Sequence, residues 1–310
     1  MSLLAVLVSV VIGGWDPLGA ISPFTPGGAL TPNATATATF APVSWAFPTA
    51  PPDVRHRIPV APTGDQQGCA NTPTTHSAPT PPAYAIFGGR QSGPHGWMKP
   101  GSKAVNEVAL TFDDGPTPYS TPTILSFLER THTPATFFVL GQYVQDFPAL
   151  AQREWADGFT IGVHTWDHPN MKILTPQARS RELGSTIKVL HQVIGPQACL
   201  WLWRPPYGSF DGAVLQQAAQ FGLATIIWDV DPRDWSRPGV QNIVSTILAE
   251  VRPGAIILMH DGPAAREQTA AALPILLAHL QALGLTPVLL PRLLADEGYP
   301  GITPPTGQIV

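Results

Sequence analysis

The chain has 310 residues, 44% of them hydrophobic, enough to bury a large core and to exclude a protein disordered throughout. Only 12% are charged, and 17 Lys and Arg against 21 Asp and Glu leave a formal net charge of -4, so there is no basic footprint for a nucleic acid. Two cysteines, Cys69 and Cys199, allow at most one bridge and no multi-cysteine metal site.

The first element is the apolar run Leu3 to Ile12, which ends at Gly13-Gly14. It matches a signal-peptide core in length and falls well short of the roughly 20 residues that span a bilayer. Residues 1–20 read as a signal peptide or membrane anchor, which places the protein outside the cell or on its surface. No basic residue precedes the run, the first being Arg55; a buried N-terminal strand or helix is the alternative. Residues 21–100 are rich in Pro, Thr and Ala and poor in charge, the composition of an extended, largely disordered linker that tethers a domain to a membrane or wall. Asn33-Ala34-Thr35 fits the N-glycosylation pattern. Tyr84, Phe87 and Trp97 could pack on the following domain, an outcome expected only for the last fifteen or so residues of the segment.

From about residue 101 to 300, apolar runs alternate with amphipathic stretches. Strands are expected at Val108 to Phe112, Ala135 to Leu140, Phe159 to Val163, Leu200 to Trp203, Ala224 to Trp228, Ala255 to Met259 and Pro287 to Leu290. Between them lie helices at Pro122 to Arg130 (with Thr121 as N-cap), from near Pro148, and at Pro176 to Val193, Ala213 to Gln220, Val240 to Glu250 and Gln268 to Leu283. Residues 301–310 form a tail. Such alternation implies an α/β fold with a parallel sheet and helices outside, either doubly wound or closed as a (β/α) barrel.

Polar clusters follow five of these strands: Thr111 to Pro116 (TFDDGP), His164 to His168 (HTWDH), Arg204 to Gly208 (RPPYG), Asp231 to Trp235 (DPRDW) and Leu258 to His260 (LMH). The C-terminal ends of parallel strands share one face, where active sites collect, so the five clusters should converge. Asp113 and Asp114 could be only a turn. Adjacent strand residues, however, point to opposite sides, so one carboxylate could hold a cation while the other moves a proton. His164 and His168, four apart, would lie on one side of a helical turn, and with a carboxylate they complete a two-His, one-carboxylate set. Trp201 and Trp203 alternate along a strand and read as core before sugar platform. Asp167, Asp231 and Asp261 read as turn residues or as support behind the site.

In this order and on these strand ends, the five motifs resemble those of the polysaccharide deacetylases of carbohydrate esterase family 4, the NodB homology domain, over about residues 104 to 295. The resemblance implies a distorted (β/α) barrel of about seven strands. It also implies that Asp114, His164 and His168 bind one divalent metal, zinc first, with cobalt or nickel as alternatives. Asp113 would be the general base toward the attacking water and Arg204 would orient it. His260 would protonate the departing amine, kept cationic by Asp234. The backbone N–H of Tyr207 would hold the oxyanion, and Trp235 and Leu258 would wall the acetyl pocket. The implied activity is N-deacetylation of an N-acetylglucosamine polymer such as peptidoglycan or a chitooligosaccharide, by a protein expected to be a monomer. O-deacetylation of xylan, an inactive carbohydrate-binding member of the fold and a two-carboxylate glycosidase are the alternatives.

Overall fold

The computed structural model describes residues 86–88 and 105–298 of the chain. The apolar run Leu3 to Ile12, most of the 21–100 segment with Asn33, Cys69, Tyr84 and Trp97, and the tail all lie outside them. The elements in order are β1 (Ile86–Phe87), β2 (Glu107–Asp113), α1 (Thr121–Arg130), β3 (Thr136–Val139), α2 (Gly141–Asp146), α3 (Pro148–Ala156), β4 (Thr160–Val163), α4 (Pro176–Ile194), β5 (Leu202–Trp203), α5 (Gly212–Gln220), β6 (Ala224–Ile226), α6 (Val240–Glu250), β7 (Ile256–His260), α7 (Glu267–Ala282), β8 (Thr286–Pro287) and α8 (Leu290–Asp296). The strands form one parallel sheet ordered β1-β6-β5-β4-β3-β2-β7, with β8 added beside β2. A bridge from Val230 to Ile257 brings the segment after β6 against β7, curving the sheet into the distorted barrel that the family resemblance implies.

Because both faces of such a sheet are covered, period-2 alternation sorts apolar residues into two cores instead of a core and a wet face. On β2, Val108, Leu110 and Phe112 join the outer core, where Ile124, Leu125 and Leu128 of α1, Leu183 and Leu190 of α4 and Leu273 and Leu276 of α7 pack. Ala109 points the other way, into an inner cluster with Phe87, Phe138, Trp201, Leu202, Ala224, Ile226 and Ile256. Leu290, Leu293 and Leu294 of α8 belong to that inner cluster, and Leu290 N–H donates to Thr136 Oγ1 at the start of β3. The helix therefore plugs the barrel at the N-terminal ends of its strands and leaves the C-terminal ends for chemistry. Cys199 packs on the same cluster and is disulfide-bonded.

Four local expectations change. Ile86 and Phe87, inside the stretch assigned to linker, form a fully buried strand on β6; two residues give too little periodicity to be read as a strand. Of the run expected as a strand from Pro287 to Leu290, only Pro287 lies in β8, with Val288 N–H donating to the Val108 carbonyl at 2.9 Å, and Leu290 already starts α8, whose second residue is Pro291. The helix expected from near Pro148 is preceded by a separate short one, α2. Finally, α1 is preceded by Ser120 as N-cap, and Thr121 is its first residue with its hydroxyl directed elsewhere.

The plugged end carries a half-buried acidic cluster. Burial, then Asp296, pushes Glu107 up to about 7, and burial, then Asp229, does the same to Glu297. Both values lie above the ordinary 4.5, so the folded state holds more protons than the unfolded one between pH 4.5 and about 7. Stability is therefore expected to fall as pH rises through that window. Thermal melts of metal-free protein should show a lower midpoint at about pH 8 than at about pH 5.5, by roughly 2–4 °C per kcal/mol. Glu297→Gln should flatten the slope; an unchanged slope would mean that Glu297 titrates normally.

Candidate active site

The inner face of β2 runs Ala109, Thr111, Asp113, so the same alternation that fills the barrel delivers a carboxylate at its open end. Beneath it lies Arg204, fully buried just past β5. Its guanidinium sits 4.2 Å from the centre of the Phe138 ring and 5.7 Å from that of Trp228, and Nη1 donates to Thr111 Oγ1 at 2.9 Å and to Asp113 Oδ1 at 2.7 Å. Burial lowers the Arg204 pKa and the Asp113 charge opposes that shift; an arginine starting so high remains a cation.

Asp114 does not point to the opposite side, as strand alternation would require. The strand ends at Asp113, and Asp114 takes a left-handed backbone, φ 73°, that turns it into the same cavity. What separates the two carboxylates is their partners: Asp113 is tied to Arg204, whereas Asp114 Oδ1 is buried with no hydrogen bond. It stands 3.4 Å from His164 Nε2 and 3.4 Å from His168 Nε2. The histidines do not share a helical turn either. They flank a loop in which Thr165 and His168 have φ of 72° and 66°, and His168 N–H donates to Thr165 Oγ1 at 3.1 Å. The loop brings the two rings to 5.1 Å between centroids.

These three side chains suit a divalent cation. One ligand atom from each lies within 4.8 Å of the others. Ligand atoms in a tetrahedral site with bonds of about 2.0–2.2 Å stand about 3.3–3.6 Å apart, which is the spacing of both His–Asp pairs. His164 Nδ1 donates to the Arg204 carbonyl at 2.7 Å, fixing the tautomer that leaves the Nε2 lone pair facing Asp114. Burial, with the neighbouring His164, pushes His168 below the usual imidazole range and keeps it neutral enough to ligate. Burial opposes ionisation of Asp114, but the nearby imidazoles, His164 first, then His260 and His168, bring it down to about 2.

Across the cavity, Asp234 is almost fully buried and holds His260 twice, accepting from its backbone N–H at 2.8 Å and pairing with Nδ1 at 2.7 Å. Burial alone would lower the His260 pKa; the Asp234 hydrogen bond and charge, with Asp113 and Asp114 beyond, raise it to about 9. Leu258 lies two residues earlier on the same face of β7 and is buried, while Trp235 is 51% exposed at the rim. Tyr207 has φ 61°, leaves its ring 68% exposed and sets it edge-on to His168 with centroids 4.5 Å apart. Trp201 and Trp203 are wholly buried, so neither is a sugar platform.

Three further side chains shape the site. Thr269 of α7 donates to Asp234 Oδ2 at 2.7 Å, Thr111 takes one hydrogen bond from Arg204, and Glu182 of α4 accepts from Trp166 N–H at 2.8 Å, holding the loop between the histidines. Thr111 was within reach of the sequence, two residues before Asp113 on the same strand face. Thr269 and Glu182 lie inside helices, with no local signal of a partner so distant.

A family model described as polysaccharide deacetylase matches residues 101–226. A chitooligosaccharide deacetylase of Bradyrhizobium sp. is 42% identical over 197 residues, covering 60% of this chain and 90% of that one. A peptidoglycan-N-acetylglucosamine deacetylase of Bacillus cereus is 34% identical over 200 residues, covering 64% and 92%. Among solved structures, that of the Bc1960 peptidoglycan N-acetylglucosamine deacetylase superposes with a TM-score of 0.61 at 31% identity, over 67% of this chain and 92% of that one.

Proposed function

Because the chain belongs to the polysaccharide deacetylases of carbohydrate esterase family 4, we propose that it is a metal-dependent hydrolase removing N-acetyl groups from oligomers or polymers of N-acetylglucosamine. The observation that carries this reading is the pairing of Asp113 with Arg204 and of His260 with Asp234 around the cavity that holds Asp114, His164 and His168. A carboxylate paired with a buried guanidinium and an imidazole held protonated, facing one cavity, are the base and acid that amide hydrolysis needs.

Asp114, His164 and His168 would hold the cation, zinc by its preference for imidazole and carboxylate in four-coordination. When bound it supplies Lewis acidity, polarising the acetyl carbonyl and lowering the pKa of water in the cavity. Asp113 takes the proton of that water through Oδ2, the oxygen its Arg204 bond leaves free. The backbone N–H of Tyr207 donates to the oxygen that gains charge as the carbonyl carbon becomes tetrahedral. His260 gives its proton to the nitrogen as the carbon–nitrogen bond breaks, leaving acetate and a free amine. Trp235 and Leu258 enclose the acetyl methyl group. An inactive binding protein has no use for both proton-transfer pairs, and the relatives above are named for chitooligosaccharides and for peptidoglycan N-acetylglucosamine, which disfavours acetylxylan. The N-terminal apolar run supports export or surface attachment, where such polymers lie.

Acetate release should be measured side by side on chitooligosaccharides, peptidoglycan and acetylxylan, with metal chelated and then restored. Activity on the first two that vanishes with chelation and returns with zinc is expected. Preferred release from acetylxylan, or activity indifferent to chelation, would overturn the reading.

A further inference from the structure

The turn that carries Asp113 and Asp114 is interlocked with the residues just after His260. Asp113 C=O accepts from Asp261 N–H at 3.1 Å. A Cβ on Gly115 would stand 2.0 Å from Asp261 Oδ2, and a Cβ on Gly262 would stand 2.0 Å from the Asp114 carbonyl oxygen. Each segment thus uses a missing side chain to admit a polar group of the other. Thr121, at the start of α1, donates its single hydroxyl hydrogen to Asp261 Oδ2 and accepts from Thr117 N–H at 2.8 Å. Thr117 Oγ1 in turn donates to the Asp261 carbonyl at 3.0 Å. Thr117, Thr121 and Asp261 are all buried.

A carboxyl group taken wholly out of water is costly to desolvate in either protonation state, so a turn that needed only packing would be served better by an apolar residue. Asp261 has a second attribute: it directly follows His260, whose side chain is fixed to Asp234 on the other wall. Consecutive residues of one strand end therefore hold the two sides of the cavity. We propose that Asp261 and Thr121 form a buried clamp that sets the Asp113–Asp114 turn against His260, both acting as positioning residues for the reaction. The clamp rests on the deacetylase reading only for its kinetic consequences; its effect on the ligand turn stands apart from it.

The test uses the full chain with Thr121→Val, which removes the hydroxyl at nearly constant volume, and Thr121→Ser, which keeps it. Zinc affinity is measured by chelator competition, kcat and KM on a chitooligosaccharide, and folding by circular dichroism. Thr121→Val should weaken zinc binding about tenfold and lower kcat about 10–100-fold, since misplacement by about 1 Å can cost that much, with KM within about twofold. Thr121→Ser should restore both to within about threefold of wild type. Wild-type zinc affinity and kcat in folded Thr121→Val would overturn the clamp and leave Thr121 with a packing role. Thr121→Ala carries the same expectations if Val proves too bulky, and loss of fold in both would also overturn it, making the hydroxyl a determinant of folding. Wild-type protein that releases no acetate would sink the functional reading, while the zinc comparison would still decide the clamp.

Discussion

Asp113→Asn is expected to lower turnover by about 10²–10⁴ while zinc stays bound, because it takes away the proton acceptor and leaves the three ligands in place. His168→Ala should lose both turnover and metal, with zinc affinity falling by more than the 10–100-fold typical of an outer partner. Equal metal loss in the two variants would mean that Asp113 belongs to the ligand set. Asp113→Asn carries a second expectation that follows from Arg204. That guanidinium is fully buried and Asp113 is its anionic partner, so the neutral side chain leaves a buried cation uncompensated, at a cost of about 3–5 kcal/mol. The variant should melt well below wild type, and its metal content should be read far below that midpoint.

His260→Ala should cut turnover by about 10²–10⁴ with metal content and fold retained, if the imidazole supplies the proton to the leaving amine. The pH dependence tests the role of Asp234 separately. His260 is raised to about 9, so it is protonated at neutral pH and acid catalysis is lost as pH climbs through its folded pKa. Asp234→Asn takes away the hydrogen bond and charge that oppose burial, so the alkaline limb of the pH–rate profile should move to lower pH. A cation bound in the cavity would lower the starting value in both proteins, so the comparison is between limbs measured with the same metal. A limb that stays put in Asp234→Asn would pass the acid role to another group.

The convergence of Asp113, Asp114, His164, His168, Arg204 and His260 on one cavity was legible because each stands at or near a strand end, where turn-forming and polar residues interrupt apolar runs. The fold class was legible for the same reason, since alternation marks a parallel sheet regardless of how its strands curve. What could not be read was anything set by backbone hand. The positive φ at Asp114 and His168 replaced strand alternation and helical spacing as the cause of the ligand set, and neither residue type announces it. Contacts across long stretches of chain were equally hidden: Thr269 on Asp234, Thr121 on Asp261 and β1 on β6 join residues with no common pattern.

The composition of the inner cluster bears on how the chain reaches its folded state. Phe87 and the leucines of α8 are neighbours in the barrel yet lie about two hundred residues apart, so the inner core joins the first described strand to the last described helix. During synthesis the outer helices can begin to collapse on their strands as they emerge, but the barrel interior has no lid until the ribosome has passed residue 296. Contacts of such sequence separation slow folding by the entropy of closing so long a loop. A chain whose interior closes last keeps its apolar barrel face open to other molecules for longer, the interval in which aggregation competes with folding.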